Sequence, residues 1–120
     1  CLGLIEKSWA VIAIHGCECP GWAVYVGGLD DNLLARILTQ LRQADFRARR
    51  ATGPLAGRDP ENLCNRGRSG RGVQIEITRA LRDSMFADLS WAGMERPTPV
   101  FDRFVAALRH VCQTGVEPGD

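Results

Sequence analysis

The run Asn62-Leu-Cys-Asn-Arg-Gly-Arg-Ser-Gly-Arg-Gly-Val-Gln-Ile-Glu-Ile-Thr-Arg-Ala-Leu81 decides how the rest of the chain is read. Its first half is crowded with Arg, Asn and Gly and has no periodicity. Its second half alternates: Val73, Ile75 and Ile77 fall on one face of an extended chain, Gln74 and Glu76 on the other. That spacing predicts a strand over Val73–Ile77, fed by a polar loop. Thr78 then stands at the N-cap position of a helix whose apolar positions are Ala80, Leu81 and Phe86. Glu76 therefore sits on a strand beside a strand-to-helix junction. A carboxylate there is costly to bury unless it is paired. Two readings are open at this point. Glu76 is either structural, as a surface residue on an open sheet face or one half of a salt bridge with Arg66, Arg68, Arg71 or Arg79, or a general base poised by partial burial.

Upstream, Trp9–Ile14 is continuously apolar and rich in β-branched residues. This predicts a strand buried on both faces that ends at His15-Gly16. Trp22–Val26 reads as a second short strand, closed by Gly27-Gly28. Asp30 and Asp31 offer an N-cap and a negative first turn to a helix whose stripe is Leu34, Ile37, Leu38 and Leu41. Arg36 and Arg42 fall outside the stripe, towards solvent. Phe46–Arg50 reads as an edge strand with Arg47, Arg49 and Arg50 facing water. From Ala51 to Arg71 lies a connection of roughly 20 residues, a length that is usually functional or disordered. The apolar pair Leu63-Cys64 would pin it to the core. Downstream, Trp91–Pro97 is a further connection. Thr98-Pro99 opens a final helix with the stripe Phe101, Phe104, Val105, Leu108 and Cys112, stopped at Gly115, and Val116–Asp120 reads as a frayed tail. The order predicts one α/β layered domain over residues 1–120, with a mixed, largely parallel sheet flanked by helices.

Composition narrows the partners. A net charge of +1 gives no global pull towards nucleic acid or a membrane surface, and the basic loop lacks interleaved aromatics. No apolar run approaches the ~20 residues that span a bilayer, and no basic-then-apolar leader is visible, so a cytoplasmic location is expected. The cations are fourteen Arg and one Lys (Lys7). That excess reflects either genome base composition or a use for guanidinium forks on carboxylates or phosphates. Five cysteines without a framework favour free thiols in a reducing compartment. Opening at Cys1 without a Met, the chain reads as a piece or a shortened relative of something longer.

His15, at a strand end, is either bonded to backbone or a ligand or acid–base group. His15-x-Cys17-x-Cys19 is too tightly spaced for an ordinary zinc ribbon. In Asn65-Arg66-Gly67 the glycine lets backbone approach a ligand and the arginine offers a bidentate grip. There is no P-loop and no nucleophile elbow. Asp102 and His110 fall on the solvated side of the last helix.

Together, Ala13-Ile-His-Gly-Cys17, Val24-Tyr-Val-Gly-Gly-Leu-Asp30, Asn62-Leu-Cys-Asn-Arg-Gly67 and Gly72-Val-Gln-Ile-Glu-Ile-Thr-Arg-Ala-Leu-Arg82 resemble the C-terminal half of the poly-γ-glutamate hydrolase family. These are zinc peptidases of bacteria and their phages with a carboxypeptidase-like α/β fold. The resemblance runs from about Val11 to Leu108. It implies that His15 is a zinc ligand and that Glu76 is the general base that takes a proton from zinc-bound water. It also implies that Asn65, Arg66 and Arg79 line the substrate side, with Arg66 holding a substrate carboxylate. The implied partner is an anionic glutamyl polymer. The family's first two zinc ligands lie upstream of the matched segment, so zinc is implied with only His15 of its ligand set matched. Two expectations follow: a shortened hydrolase domain for γ-glutamyl amide bonds, or a catalytically inactive binding or assembly domain. Missing neighbours would leave apolar sheet surface open, so a homodimer or higher oligomer is expected.

Overall fold

The computed structural model describes residues 2–114. At its centre is β4 (Val73–Thr78), all six of whose residues are buried. On one side β4 pairs in parallel with β1 (Ile12–Cys17). On the other it pairs antiparallel with β2 (Val24–Gly27), which in turn pairs in parallel with β3 (Ala48–Arg50). The strand order is β1-β4-β2-β3, a mixed, largely parallel sheet as expected. The period-2 alternation sends Val73, Ile75 and Ile77, with Val24 and Val26, onto one face. There they meet α2 (Asp31–Gln43), α3 (Arg79–Met85) and α5 (Pro99–Gln113) in a single apolar cluster. Helix α2 starts where expected: the Asp30 carboxylate accepts a hydrogen bond from Leu33 N at 3.0 Å. Its stripe of Leu34, Ile37, Leu38 and Leu41 is buried, each side chain worth about 1.5–3 kcal/mol when fully removed from water. Phe46 and Phe104 close one end of the cluster edge to face, with ring centroids 5.8 Å apart.

Several expectations are corrected. Strand β1 begins at Ile12 rather than Trp9 and runs on through His15 to Cys17. It is an edge strand, and Ile14, His15 and Gly16 are exposed rather than buried on both faces. An apolar run reports what a strand can bury, not what its neighbours cover. Residues Leu2–Lys7 form a helix, α1, with no buried residue. Thr78 and Thr98 hold N-cap positions, yet neither side chain caps. Thr78 Oγ1 instead accepts from Ala23 N at 3.1 Å, and Thr98 Oγ1 donates to Ser84 O at 2.6 Å, so both hydroxyls tie elements together. Arg36 and Arg42 are bonded rather than simply solvated. Arg36 Nη2 donates to Val111 O and Thr114 Oγ1, each at 3.0 Å, and Arg42 Nε to Ala48 O at 2.9 Å. On α5 the buried residues are Phe104, Ala107 and Val111, and Cys112 is exposed. The short helix α4 (Trp91–Met94) lies within the Trp91–Pro97 connection. The expected stop at Gly115 and the tail beyond it lie outside the described residues. Among the described residues no helix is long and apolar enough to cross a membrane.

The long connection is ordered by two 3-10 turns, Gly53–Leu55 and Leu63–Asn65. Leu63 is 51% exposed, so Cys64 and Asn65, both buried, do the pinning expected of Leu63 and Cys64. This loop lies against Gln74: a Cβ added at Gly57 would sit 3.4 Å from Gln74 Cβ, and Asn62 Nδ2 donates to Gln74 Oε1. The sheet is thus covered by helices on one face and, around Gln74, by a loop on the other.

Candidate functional site

Register builds the site. On β1 and β4, His15 pairs with Glu76; on β2, Tyr25 pairs with Glu76; on β3, Arg49 pairs with Tyr25. Paired residues share a face, so His15, Glu76, Tyr25 and Arg49 form a row across the sheet, on the side away from the helices. Glu76, on the central strand, is 7% exposed, whereas His15, on the edge strand, is exposed.

Glu76 is held by amides rather than by cations. Gln74 Nε2 donates to Glu76 Oε1 at 3.2 Å, and Asn62 Nδ2 donates to Gln74 Oε1 at 3.1 Å. Asn62 is itself fixed at the head of the second 3-10 turn, where its Oδ1 accepts from Cys64 N at 3.1 Å. Among the described residues no arginine pairs with Glu76. Arg66 lies 3.7 Å from Glu61, and Arg82 pairs with Glu18 at 3.5 Å while donating to Ile77 O and Cys17 O. Arg79 is exposed at the start of α3. The salt-bridged reading of Glu76 therefore falls, and a buried, amide-held carboxylate stands. Sequence reasoning missed Gln74 and Asn62 as its supports; the available signal was that Gln74 shares the Glu76 face.

Asn65 faces inward. Its Oδ1 accepts from Leu29 N and Gly72 N, both at 3.1 Å, and its Nδ2 donates to Gly57 O at 2.7 Å and Asp59 O at 2.9 Å. Every donor and acceptor of the amide is engaged with backbone, so it shapes the loop. Gly67 also serves the chain itself: a Cβ there would come within 3.1 Å of Ser8 O and Trp9 O, beside which the loop runs. Arg68 N and Ser69 N donate to those two carbonyls.

The four described cysteines, Cys17, Cys19, Cys64 and Cys112, are free. A hydrogen bond with Cys17 holds the Cys19 thiol above its usual pKa, with desolvation and the nearby Glu76 carboxylate adding to the shift. Burial raises Cys64 likewise. Neither is primed as a thiolate nucleophile.

A catalytic zinc takes three protein donors and a water. Among the described residues no three His, Cys, Asp or Glu side chains converge to hold a metal. His15 offers one imidazole, and the Glu76 oxygen nearest to an amide is already bonded. The described residues by themselves therefore do not fit a resident catalytic zinc. A cavity of about 650 Å³ lies on the helical side of β1, with His15 at its rim and Ile14, Met85, Phe86, Phe101, Val105 and Leu108 among its walls. Glu76 does not line it.

The family described as poly-gamma-glutamate hydrolase matches residues 1–107. The SPbeta prophage-derived UPF0714 protein YoqZ of Bacillus subtilis (strain 168) is 31% identical over 98% of this chain and 46% of its own length. The UPF0714 protein YmaC of the same organism is 30% identical over 91% of this chain and 48% of its own length. Among solved structures, a bacteriophage poly-gamma-glutamate hydrolase superposes with a TM-score of 0.89 at 30% identity, covering 93% of this chain and 56% of that one. An apo, zinc-free YndL superposes with a TM-score of 0.90 at 25% identity, covering 97% and 59%. The chain spans about half the length of the curated relatives it matches.

Proposed function

Because the chain belongs to the poly-γ-glutamate hydrolase family, we propose that it carries the base-bearing side of a hydrolytic site for γ-glutamyl amide bonds. The observation that supports this most is Glu76: a carboxylate on the central strand, nearly buried, with no ion pair among the described residues and an amide relay fixing its orientation. Such a group costs stability and suits a base. Glu76 takes the proton of a water whose oxygen bonds to the amide carbon; the carbon–nitrogen bond then breaks and the proton passes to the leaving amine. His15, adjacent in register and exposed, would be one donor to a metal, whose other donors would come from outside the described residues. Arg66 and Arg79 are the cationic contacts for the carboxylates of an anionic glutamyl polymer. Asn65 contributes through the loop it holds.

Fusing residues 1–120 behind the remaining segment of the bacteriophage poly-γ-glutamate hydrolase tests this. The fused chain, with zinc supplied, is expected to release glutamyl fragments from poly-γ-glutamate, and the 120-residue chain alone is not. A correctly folded fusion without turnover would sink the reading. That outcome would favour a second one, a catalytically silent binding or assembly domain. The second reading is supported by the lack of a three-donor group among the described residues.

A further inference from the structure

We propose that Arg82 is a positioning residue: its guanidinium, lying against Gly16, joins the ends of β1 and β4 and so fixes His15 beside Glu76. Its bearing on catalysis rests on the hydrolase reading. The joint itself does not.

The place for a joint follows from the ladder. Val73 N donates to Val11 O at 3.0 Å, so Val11, Ala13, His15 and Cys17 turn their backbone groups towards β4. In that parallel pattern Cys17 N meets Ile77 O, and the donor to Cys17 O would be the N–H of residue 79. There, however, the chain has turned into α3, which starts at Arg79. Arg82, three residues further along that helix, supplies a donor instead. Its Nη1 donates to Cys17 O at 3.2 Å and to Ile77 O at 2.7 Å. These carbonyls stand two residues beyond His15 and one beyond Glu76. Holding them together holds the end of the ladder at which the pair sits, and ladder ends open first.

Gly16 reports the same joint from the other side. It pairs with Ile77, whose side chain belongs to the apolar cluster, so a side chain at position 16 would point towards the helices. A Cβ there would collide with Arg82 Nη1 and come within 2.6 Å of its Cζ. Backbone conformation does not call for glycine here, because φ at Gly16 is not positive. Room for the guanidinium is what the glycine provides. The 3.5 Å pair of Arg82 with the exposed Glu18 adds little to the joint.

Hydrogen exchange on the 120-residue chain and kinetics of the fused chain test the two parts separately. Arg82→Met keeps a stem and removes the donors. The Cys17 and Ile77 amides should then exchange at least about tenfold faster, with Val24 and Val26 unchanged. Gly16→Ala should act in the same direction, because its Cβ displaces the guanidinium. Alanine in place of a strand glycine would by itself strengthen the strand and slow exchange, so the two causes predict opposite signs. Glu18→Ala should leave these amides unchanged. In the fused chain, Arg82→Met should lower kcat by about tenfold or more with KM within about twofold, because misplacing a base costs turnover. Unchanged or slower exchange in Gly16→Ala overturns the joint. So does faster exchange spread over the whole sheet in both variants, the mark of a general loss of stability. A lost joint with full kcat overturns the positioning role. An inactive unsubstituted fusion removes the hydrolase reading alone, and the exchange results still decide whether Arg82 joins the strands.

Discussion

Replacing Asn65 with alanine is expected to lower the free energy of unfolding by about 2–4 kcal/mol, a large fraction of a small domain's stability. The side chain is 3% exposed and bridges four backbone groups from three segments: Leu29, the Gly57 and Asp59 turn, and Gly72. Truncation leaves the Leu29 and Gly72 N–H groups without partners, whereas Asp59 O keeps its bond from Asn62 N at 3.0 Å and Gly57 O keeps the weak Cys64 Sγ donor at 3.9 Å. The bonds to Gly57 and Gly72 are fully buried, and an orphaned buried group costs about 1–3 kcal/mol. Water can reach the partly buried Leu29 N–H, which keeps its share of the loss below a full penalty. Arg66→Ala, next in sequence, removes only a 3.7 Å pair with the exposed Glu61 and should shift stability by no more than about 0.5 kcal/mol. Urea unfolding of the two variants separates the roles: one residue builds the loop, its neighbour adds only a surface pair. Equal effects would remove the distinction.

In the fused chain, Glu76→Gln is expected to lower kcat for poly-γ-glutamate by about 10²–10⁴-fold, the usual worth of a general base. The substitution is nearly isosteric, and the new side-chain oxygen can still accept the bond from Gln74 Nε2, so fold and KM should change little. A loss confined to kcat identifies a group that acts on the reacting proton. A loss shared with stability would point to a structural acid instead. The amide relay makes this separation clean, because Asn62 and Gln74 hold the side chain whether or not it is charged.

Much of the fold was legible because its signals are local. The alternation of Val73–Ile77 gave β4, and the spacing of Leu34, Ile37, Leu38 and Leu41 gave α2, each within a few residues of its observed bounds. What misled was non-local. The apolar run before His15 looked doubly buried, yet β1 lies at the sheet edge, and strand order is not written in any one segment. Thr78 and Thr98 carried the right residue type for capping, but their hydroxyls found partners far along the chain. The glycine of Asn65-Arg66-Gly67 suggested close approach of backbone; the structure shows that the partner is the chain's own Ser8 and Trp9. For the site, composition and spacing left Glu76 open between a salt-bridged acid and a base. Family resemblance singled out His15 and Glu76 together, and only the strand register sets them side by side.

The metal content of the 120-residue chain tests the central claim most directly. That claim is the proposal that Glu76 serves as the base and His15 as one imidazole donor, with no full zinc ligand set among the described residues. After purification with zinc present and removal of loose metal, elemental analysis is expected to find well under one equivalent, below about 0.1 per chain. Near-stoichiometric zinc, lost on His15→Ala, would contradict the claim, because the missing donors would then lie within the chain itself.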